Sequence, residues 1–227
     1  MSALALLAFA SAAFVGTHLL MSHPLRAGLV ARLGERGFLG VYSLVSIVTL
    51  GAMVYFYHGA RTPAPRPLWD SGNVGWWAAT LLMWLGSILF VGSLQSNPAF
   101  PTGGKPVTAI EPARGVFAIT RHPMLWGFML WAVVHALVNA TPAALIVSGA
   151  IILLSLAGGV GQDAKKEKLI GEPWRDWEKR TSFVPFGRGF VLPDAVALVG
   201  GTLLWLAATW AHGALGYQPA GLFHFFG

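Results

Sequence analysis

Cysteine is absent from all 227 residues, which excludes disulfides, iron–sulfur clusters and thiolate metal ligands and leaves the redox compartment undetermined. Charge is scarce too, at 11% of the residues, and only nine side chains are acidic. There is no pair of carboxylates spaced for acid–base work, no nucleophile with an adjacent base and no phosphate-binding loop, so any catalysis must lean on a bound cofactor. Internal repeats and low-complexity linkers are missing as well, which makes residues 1–227 a single domain. What fills the chain is apolar: 55% of it is hydrophobic, more surface than a soluble domain can hide.

Crossing about 30 Å of hydrocarbon takes roughly 20 apolar residues. Six stretches meet that need, at 3–22, 38–58, 74–95, 123–139, 143–161 and 195–212, and predict an all-α integral membrane bundle of about six transmembrane helices. The fourth is near the lower limit for a span, which places its start upstream, in the apolar stretch Val116 to Thr120.

The basic residues test that count. The loop after the first span holds Arg26, Arg32 and Arg36, the loop after the third Lys105, Arg114 and Arg121, and the loop after the fifth Lys165, Lys166, Lys168, Arg175, Lys179, Arg180 and Arg188. Those are 13 of the 15 Lys and Arg; the other two, Arg61 and Arg66, share the proline-rich loop after the second span. Positive charge collects in cytoplasmic loops, so both termini are expected on the side away from the cytoplasm. The net charge of +6 does not point to nucleic acid, because the basic residues are spread over short loops and interleaved with Glu and Asp; anionic lipid headgroups account for them. Residues 1–21 resemble a signal peptide, with Ala8-Phe9-Ala10 as a cleavage site, but no Lys or Arg precedes the apolar stretch, and it reads as the first span.

The loop after the fifth span, Gln162 to Phe186, alternates dense charge with Leu169, Ile170, Trp174, Trp177 and Phe183. That pattern predicts a helix–turn–helix at the membrane interface. It is either a solvated loop with tryptophan anchors or a lid over a site open to the cytoplasm.

Ionisable groups are costly in hydrocarbon, so the histidines inside spans are the candidate site. Counting the helical rise, His18 and His122 lie toward the cytoplasmic side, and His58, His135 and His212 toward the outer side. His23 falls in the first internal loop and His224 in the external tail. His135 stands on a stripe of Met124, Gly127 or Phe128, Trp131 and Asn139, with no charged residue near it in sequence. Gly127 would leave room for a flat cofactor or for a neighbouring helix. His18 shares its face with Ser11, Phe14 and Ser22. Each taken singly is either a helix-contact residue or a ligand. Two buried neutral imidazoles, with no thiolate and no intramembrane carboxylate nearby, point toward a haem or a late transition metal. His122 and His135 cannot hold opposite faces of one haem, because thirteen residues of helix separate them by about 20 Å. Arg121-His122-Pro123 suits a helix start close to headgroups or to an anionic cofactor group.

The blocks Gly16-Thr-His-Leu-Leu-Met-Ser-His-Pro-Leu-Arg26, Gly34 to Ser46, Ile119-Thr-Arg-His-Pro-Met-Leu-Trp-Gly127 and Thr181-Ser-Phe-Val-Pro-Phe186 resemble the bacterial NnrU family over about residues 1–212. That family is similar to plant zeta-carotene isomerase, a haem b membrane enzyme, and is named for an association with nitrite and nitric oxide metabolism. The resemblance implies haem b as cofactor, with His18 and His135 as its iron ligands, Arg121 and His122 as the matching Arg-His-Pro motif, and His58 as a further counterpart. A straight-span estimate sets His18 and His135 roughly 13 Å apart in depth, which tilt or an earlier start of the fourth span would shorten. A more distant resemblance, to isoprenylcysteine carboxyl methyltransferases, rests on Arg-His-Pro-x-Tyr-x-Gly, with Leu125 here in place of the tyrosine.

Three functions follow as expectations. One is a haem b protein for redox-dependent isomerisation of a polyene, or for handling a small gaseous ligand such as nitric oxide. Another is an S-adenosylmethionine-dependent methyltransferase built on Arg121, His122 and the segment Glu167 to Trp177. The third is a non-catalytic accessory protein of denitrification. All three are surrounded by membrane lipid.

Overall fold

The structure, a computed structural model, describes residues 1–62, 65–101, 106–218 and 221–226. Lys105 lies outside the described residues. Every described regular element is helical: α1 (Ala3–Ser22), α2 (Arg26–Ala60), α3 (Gly72–Gly92), α4 (Val116–Ile119), α5 (Pro123–Val138), α6 (Pro142–Ile170), α7 (Glu172–Arg180), α8 (Ala195–Ala214) and α9 (Leu222–Phe226).

Three of the long helices start on a side-chain cap that satisfies an otherwise orphaned amide. The hydroxyls of Ser2 and Thr141 accept from Ala5 and Ala144, and the Asp194 carboxylate accepts from Ala197. Pro142 and Pro123 occupy first-turn positions, where a missing N–H costs nothing.

Five helices are long and apolar enough to cross a membrane, namely α1, α2, α3, α6 and α8, and α5 is a shorter apolar helix of 16 residues. The chain is therefore a helical membrane bundle. α5 does not extend upstream as its shortness suggested. Val116–Ile119 is a separate helix, and Thr120 (φ −155°, ψ 148°) and His122 (φ −120°, ψ 52°) break the path between the two. The backbone lost there is rebuilt from a distance: Arg121 N–H donates to Ser182 O (2.8 Å), Phe186 N–H to Ile119 O (2.9 Å), and the Thr120 hydroxyl to Phe183 O (2.6 Å).

α2 reaches well beyond the expected 38–58. Its first residues form an arm that turns at Gly34, whose φ of 71° favours a residue without Cβ. Arg26 and Glu35 clasp across that turn at 2.6 Å. α6 also overruns its expected end at 161, so the start of the charged loop is helix, and α7 follows after Gly171.

Neighbouring helices line up as α8, α3, α5, α6, α1 and α2, with α2 also touching α6. The contact of α3 with α5 is tight, since a Cβ on Gly127 would lie 2.9 Å from Gly86 O and 3.2 Å from the Phe90 Cβ. Gly127 thus makes room for a helix and not for a cofactor. One core gathers Leu7, Phe14, Val15, Met53 and Ala143 between α1, α2 and α6. The other joins Ile88 and Leu89 to Phe117, Ile119, Trp174, Trp177 and Ala197. The two tryptophans of α7 are 0% and 2% exposed, so they are core residues and not interfacial anchors. Leu44, Ile47, Val54, Val160, Leu203 and Trp210 stay exposed on the long helices, as a lipid-facing surface requires.

Candidate functional site

Polar side chains collect at the two ends of the bundle. At the basic end, Arg121 grips Asp163 of α6 through Nε (2.9 Å) and Nη2 (2.7 Å) on the same carboxylate oxygen. The other oxygen, Oδ1, lies 3.0 Å from His122 Nε2 without the alignment of a hydrogen bond. His122 Nδ1 is 3.1 Å from Gln162 Oε1, and Glu178 Oε1 lies 3.9 Å from Arg121. All three main partners are deeply buried, with side-chain exposures of 14% for Arg121, 12% for Asp163 and 1% for His122. Burial, a hydrogen bond with Glu167 and the Asp163 charge push Glu178 up to about 7, against the pull of Arg121.

The cluster is roofed by the Thr181 to Phe186 block. Trp126 Nε1–H donates to Phe183 O (2.8 Å), and the Phe183 ring packs against both the His122 imidazole (5.1 Å) and the Arg121 guanidinium (5.4 Å). A shallow cleft against His122, lined also by Leu125, Trp126, Met129, Ser155 and Phe183, leaves no room even for a water-sized molecule. Small-molecule sites usually hold about 300–1,000 Å³. Arg121 and His122 are thus committed to this chain's own carboxylate, as an electrostatic brace for the break between α4 and α5.

Asp163 and Glu178 escaped sequence reasoning because both were read as part of a charged loop. A signal existed: no acidic residue occurs between Glu111 and Asp163, so Asp163 is the first carboxylate that follows the Arg-His pair.

At the opposite end, Arg61 donates to the Tyr217 hydroxyl (3.0 Å) and lies over the Tyr217 ring at 4.8 Å and the Tyr57 ring at 5.6 Å. Its hydrogen bond to Tyr217 holds the guanidinium above its ordinary pKa. Asn139 reaches the Tyr57 hydroxyl at 3.5 Å. The α5 terminus is tied down by Trp69 Nε1–H (3.0 Å) and the Ser71 hydroxyl, both donating to Leu137 O.

Within this end lie His135 and His212, with ring centres 6.2 Å apart and planes at 51°. Trp131 leans on His135 (4.1 Å), and Tyr217 meets His212 edge-on (6.5 Å). His18 is elsewhere, between Phe14 (4.3 Å) and Tyr42 (5.4 Å). One local geometry repeats at all three. His18 Nδ1 is 2.8 Å from Phe14 O, His135 Nδ1 is 2.7 Å from Trp131 O, and His212 Nδ1 is 2.7 Å from Ala208 O. A carbonyl only accepts, so each Nδ1 carries a proton.

His58 is exposed near the end of α2. His224 stacks on Trp76 at 4.0 Å. Of the histidines chosen from sequence, the structure places His135 beside His212, and brings neither His18, His58 nor His122 to it. Among the described residues, no group of three or more His, Asp or Glu could hold a metal ion.

A family model described as NnrU protein matches residues 6–219. The 15-cis-zeta-carotene isomerase of Arabidopsis thaliana chloroplasts is 34% identical over 182 residues, covering 71% of this chain and 45% of that protein. The Zea mays protein of the same name is 31% identical over 109 residues, covering 43% of this chain and 30% of its own length. The chain therefore spans less than half the length of these curated relatives. No solved structure matches.

Proposed function

Because the chain belongs to the NnrU protein family, we propose that it is a membrane-embedded haem b protein that performs redox-dependent cis–trans isomerisation of a polyene. The reaction class is that of its plant relatives' name. On this reading it sits in a bacterial cytoplasmic membrane with both termini outside, an orientation supported by 13 of 15 basic residues in alternate loops.

The observation that carries the cofactor is the repeated histidine geometry. His18, His135 and His212 each give Nδ1–H to the carbonyl one turn back and leave Nε2 open. A hydrogen bond from the non-ligating nitrogen fixes tautomer and ring orientation, and is the usual support for a metal-binding imidazole. Neutral rings also bring no charge into hydrocarbon, where charge is costly. His135, with either His18 or His212, would hold the iron.

Bound haem supplies one-electron chemistry that no side chain here offers. The chain's own share is placement and exclusion of water. Trp131 packs on His135, and the exposed apolar helix faces give a hydrocarbon substrate a path from the lipid.

Absorption spectra of detergent-purified protein, oxidised and reduced, test the cofactor. A Soret band that shifts on reduction is expected, and a colourless protein after expression with ample haem refutes the reading. Chromatography of a 15-cis polyene incubated with oxidised and with reduced protein tests the reaction, and conversion confined to one redox state is expected.

A further inference from the structure

The basic end of the bundle carries a second group of charges, apart from the Arg121–Asp163 brace. Gly161 and Lys165 stand one turn apart on α6 and share a face. That face meets the corner between α1 and α2, since a Cβ on Gly161 would collide with the His23 ring. Arg26 opens α2 three residues after His23, and both Arg26 and Glu35 act electrostatically on Lys165. His23, Arg26 and Lys165 are each partly buried where α1, α2 and α6 touch one another.

The carboxylates within reach are already committed. Glu35 takes the Arg26 guanidinium at 2.6 Å, which also lies over the Phe38 ring at 5.3 Å. Asp163 comes two residues before Lys165, roughly 200° away around the helix, and is held by Arg121. Glu167, two residues after, bonds with Glu178. Lys166 turns to the carbonyls of Pro98 (3.5 Å) and Phe100 (3.1 Å). Lys165 makes no hydrogen bond or ion pair among the described residues, and neither does the His23 ring. Two cations and an imidazole thus share one bound carboxylate. A partly buried ammonium without an acceptor is costly, and an incoming anion removes that cost. The His23 ring reports the same field, because burial and the Lys165 charge both lower its pKa.

The surroundings select the anion. The junction lies at the end where basic residues collect, and Leu20, Leu25 and Leu33 on its two helices are exposed by 52%, 50% and 45%. A diffusible phosphate uses none of that apolar surface, whereas a phospholipid lays acyl chains on it. Its phosphate oxygens are numerous enough to accept from Lys165, from the free N–H groups of Arg26 and from His23 together. We propose that His23, Arg26 and Lys165 bind the phosphate of one anionic phospholipid at the junction of α1, α2 and α6.

The test is titration of full-length protein, delipidated in a neutral detergent, with phosphatidylglycerol, followed by native mass spectrometry. Saturable binding of one lipid is expected. Lys165→Gln is expected to weaken it at least about tenfold, the loss of a charge-assisted hydrogen bond, and Lys165→Arg to keep it within about threefold. Lys168→Gln removes an exposed charge from the same helix and is expected to change it less than about twofold. Glu35→Gln frees Arg26 and is expected to tighten binding, a result that a damaged fold does not give. Equal losses in Lys165→Gln and Lys168→Gln, or an unchanged Lys165→Gln, overturn the site in favour of diffuse surface charge. Ammonium phosphate is then compared with ammonium acetate at equal ionic strength, so that screening is the same. Lipid retained in both supports the phospholipid, and lipid displaced by phosphate alone makes free phosphate the ligand and overturns it.

Discussion

Replacing Asp163 by Asn tests the brace at the basic end. The substitution keeps the side chain's size and removes its charge, leaving Arg121 (14% exposed) and His122 (1%) without the carboxylate they share. Removing one partner of a buried ion pair typically costs about 3–5 kcal/mol, because the remaining charge is stranded. Glu178, 3.9 Å from Arg121, offers partial compensation, so the expected loss is near the lower figure, about 3 kcal/mol. Replacing both charges with apolar side chains, Arg121→Met with Asp163→Leu, should recover most of the loss, since a well-packed apolar pair often matches a buried ionic one. His122 keeps its contact with Gln162, 3.1 Å from its Nδ1. The assay is reversible unfolding of detergent-solubilised protein by steric trapping or denaturant. A loss below about 1 kcal/mol for the single variant, or a double variant no more stable than the single, would refute the brace.

Gly127→Leu should separate α3 from α5 at a cost of about 1–3 kcal/mol or more, because even a Cβ there sits 2.9 Å from Gly86 O. Gly149→Leu, where a Cβ meets nothing within 4 Å, should melt like wild type in the same detergent. Trp174→Ala should cost about 3–5 kcal/mol as a buried core truncation. Trp69→Ala, at an exposed side chain with one bond to Leu137 O, should cost about 1 kcal/mol; equal effects at both sites would contradict the core role of α7. Glu178, raised from 4.5 to about 7 in the fold, makes the native state bind more protons than the unfolded one between those values. Its contribution to stability is therefore full below pH 4.5 and lost as pH rises through about 7. Melting temperatures across that window should flatten in Glu178→Gln, and an unchanged slope would assign the effect elsewhere.

The spans and the uneven distribution of basic residues are legible in the sequence because each is a property of a contiguous segment: an apolar run is long enough for hydrocarbon or it is not. The same holds for the family, whose motifs are local blocks such as Ile119 to Gly127. The apolar runs mark spans and not helix ends, since α6 carries its helix on to Ile170 and α2 begins at Arg26. The charge pattern sent Trp174 and Trp177 to the lipid interface, where the fold has no place for them.

Partnership between helices was decided only by the tertiary structure. In a soluble helix an apolar stripe marks the inward face, but a helix in hydrocarbon is apolar on every side, so periodicity does not say which face meets which neighbour. Nothing near His135 in the chain names His212, and nothing near Arg121 names Asp163. The first pair exists because α5 and α8 both end at the same side of the bundle around α3, the second because α6 runs past the break at Thr120. The absence of cysteine excluded thiolate ligands from the start; the packing of helices decided that His135 and His212 stand 6.2 Å apart, centre to centre.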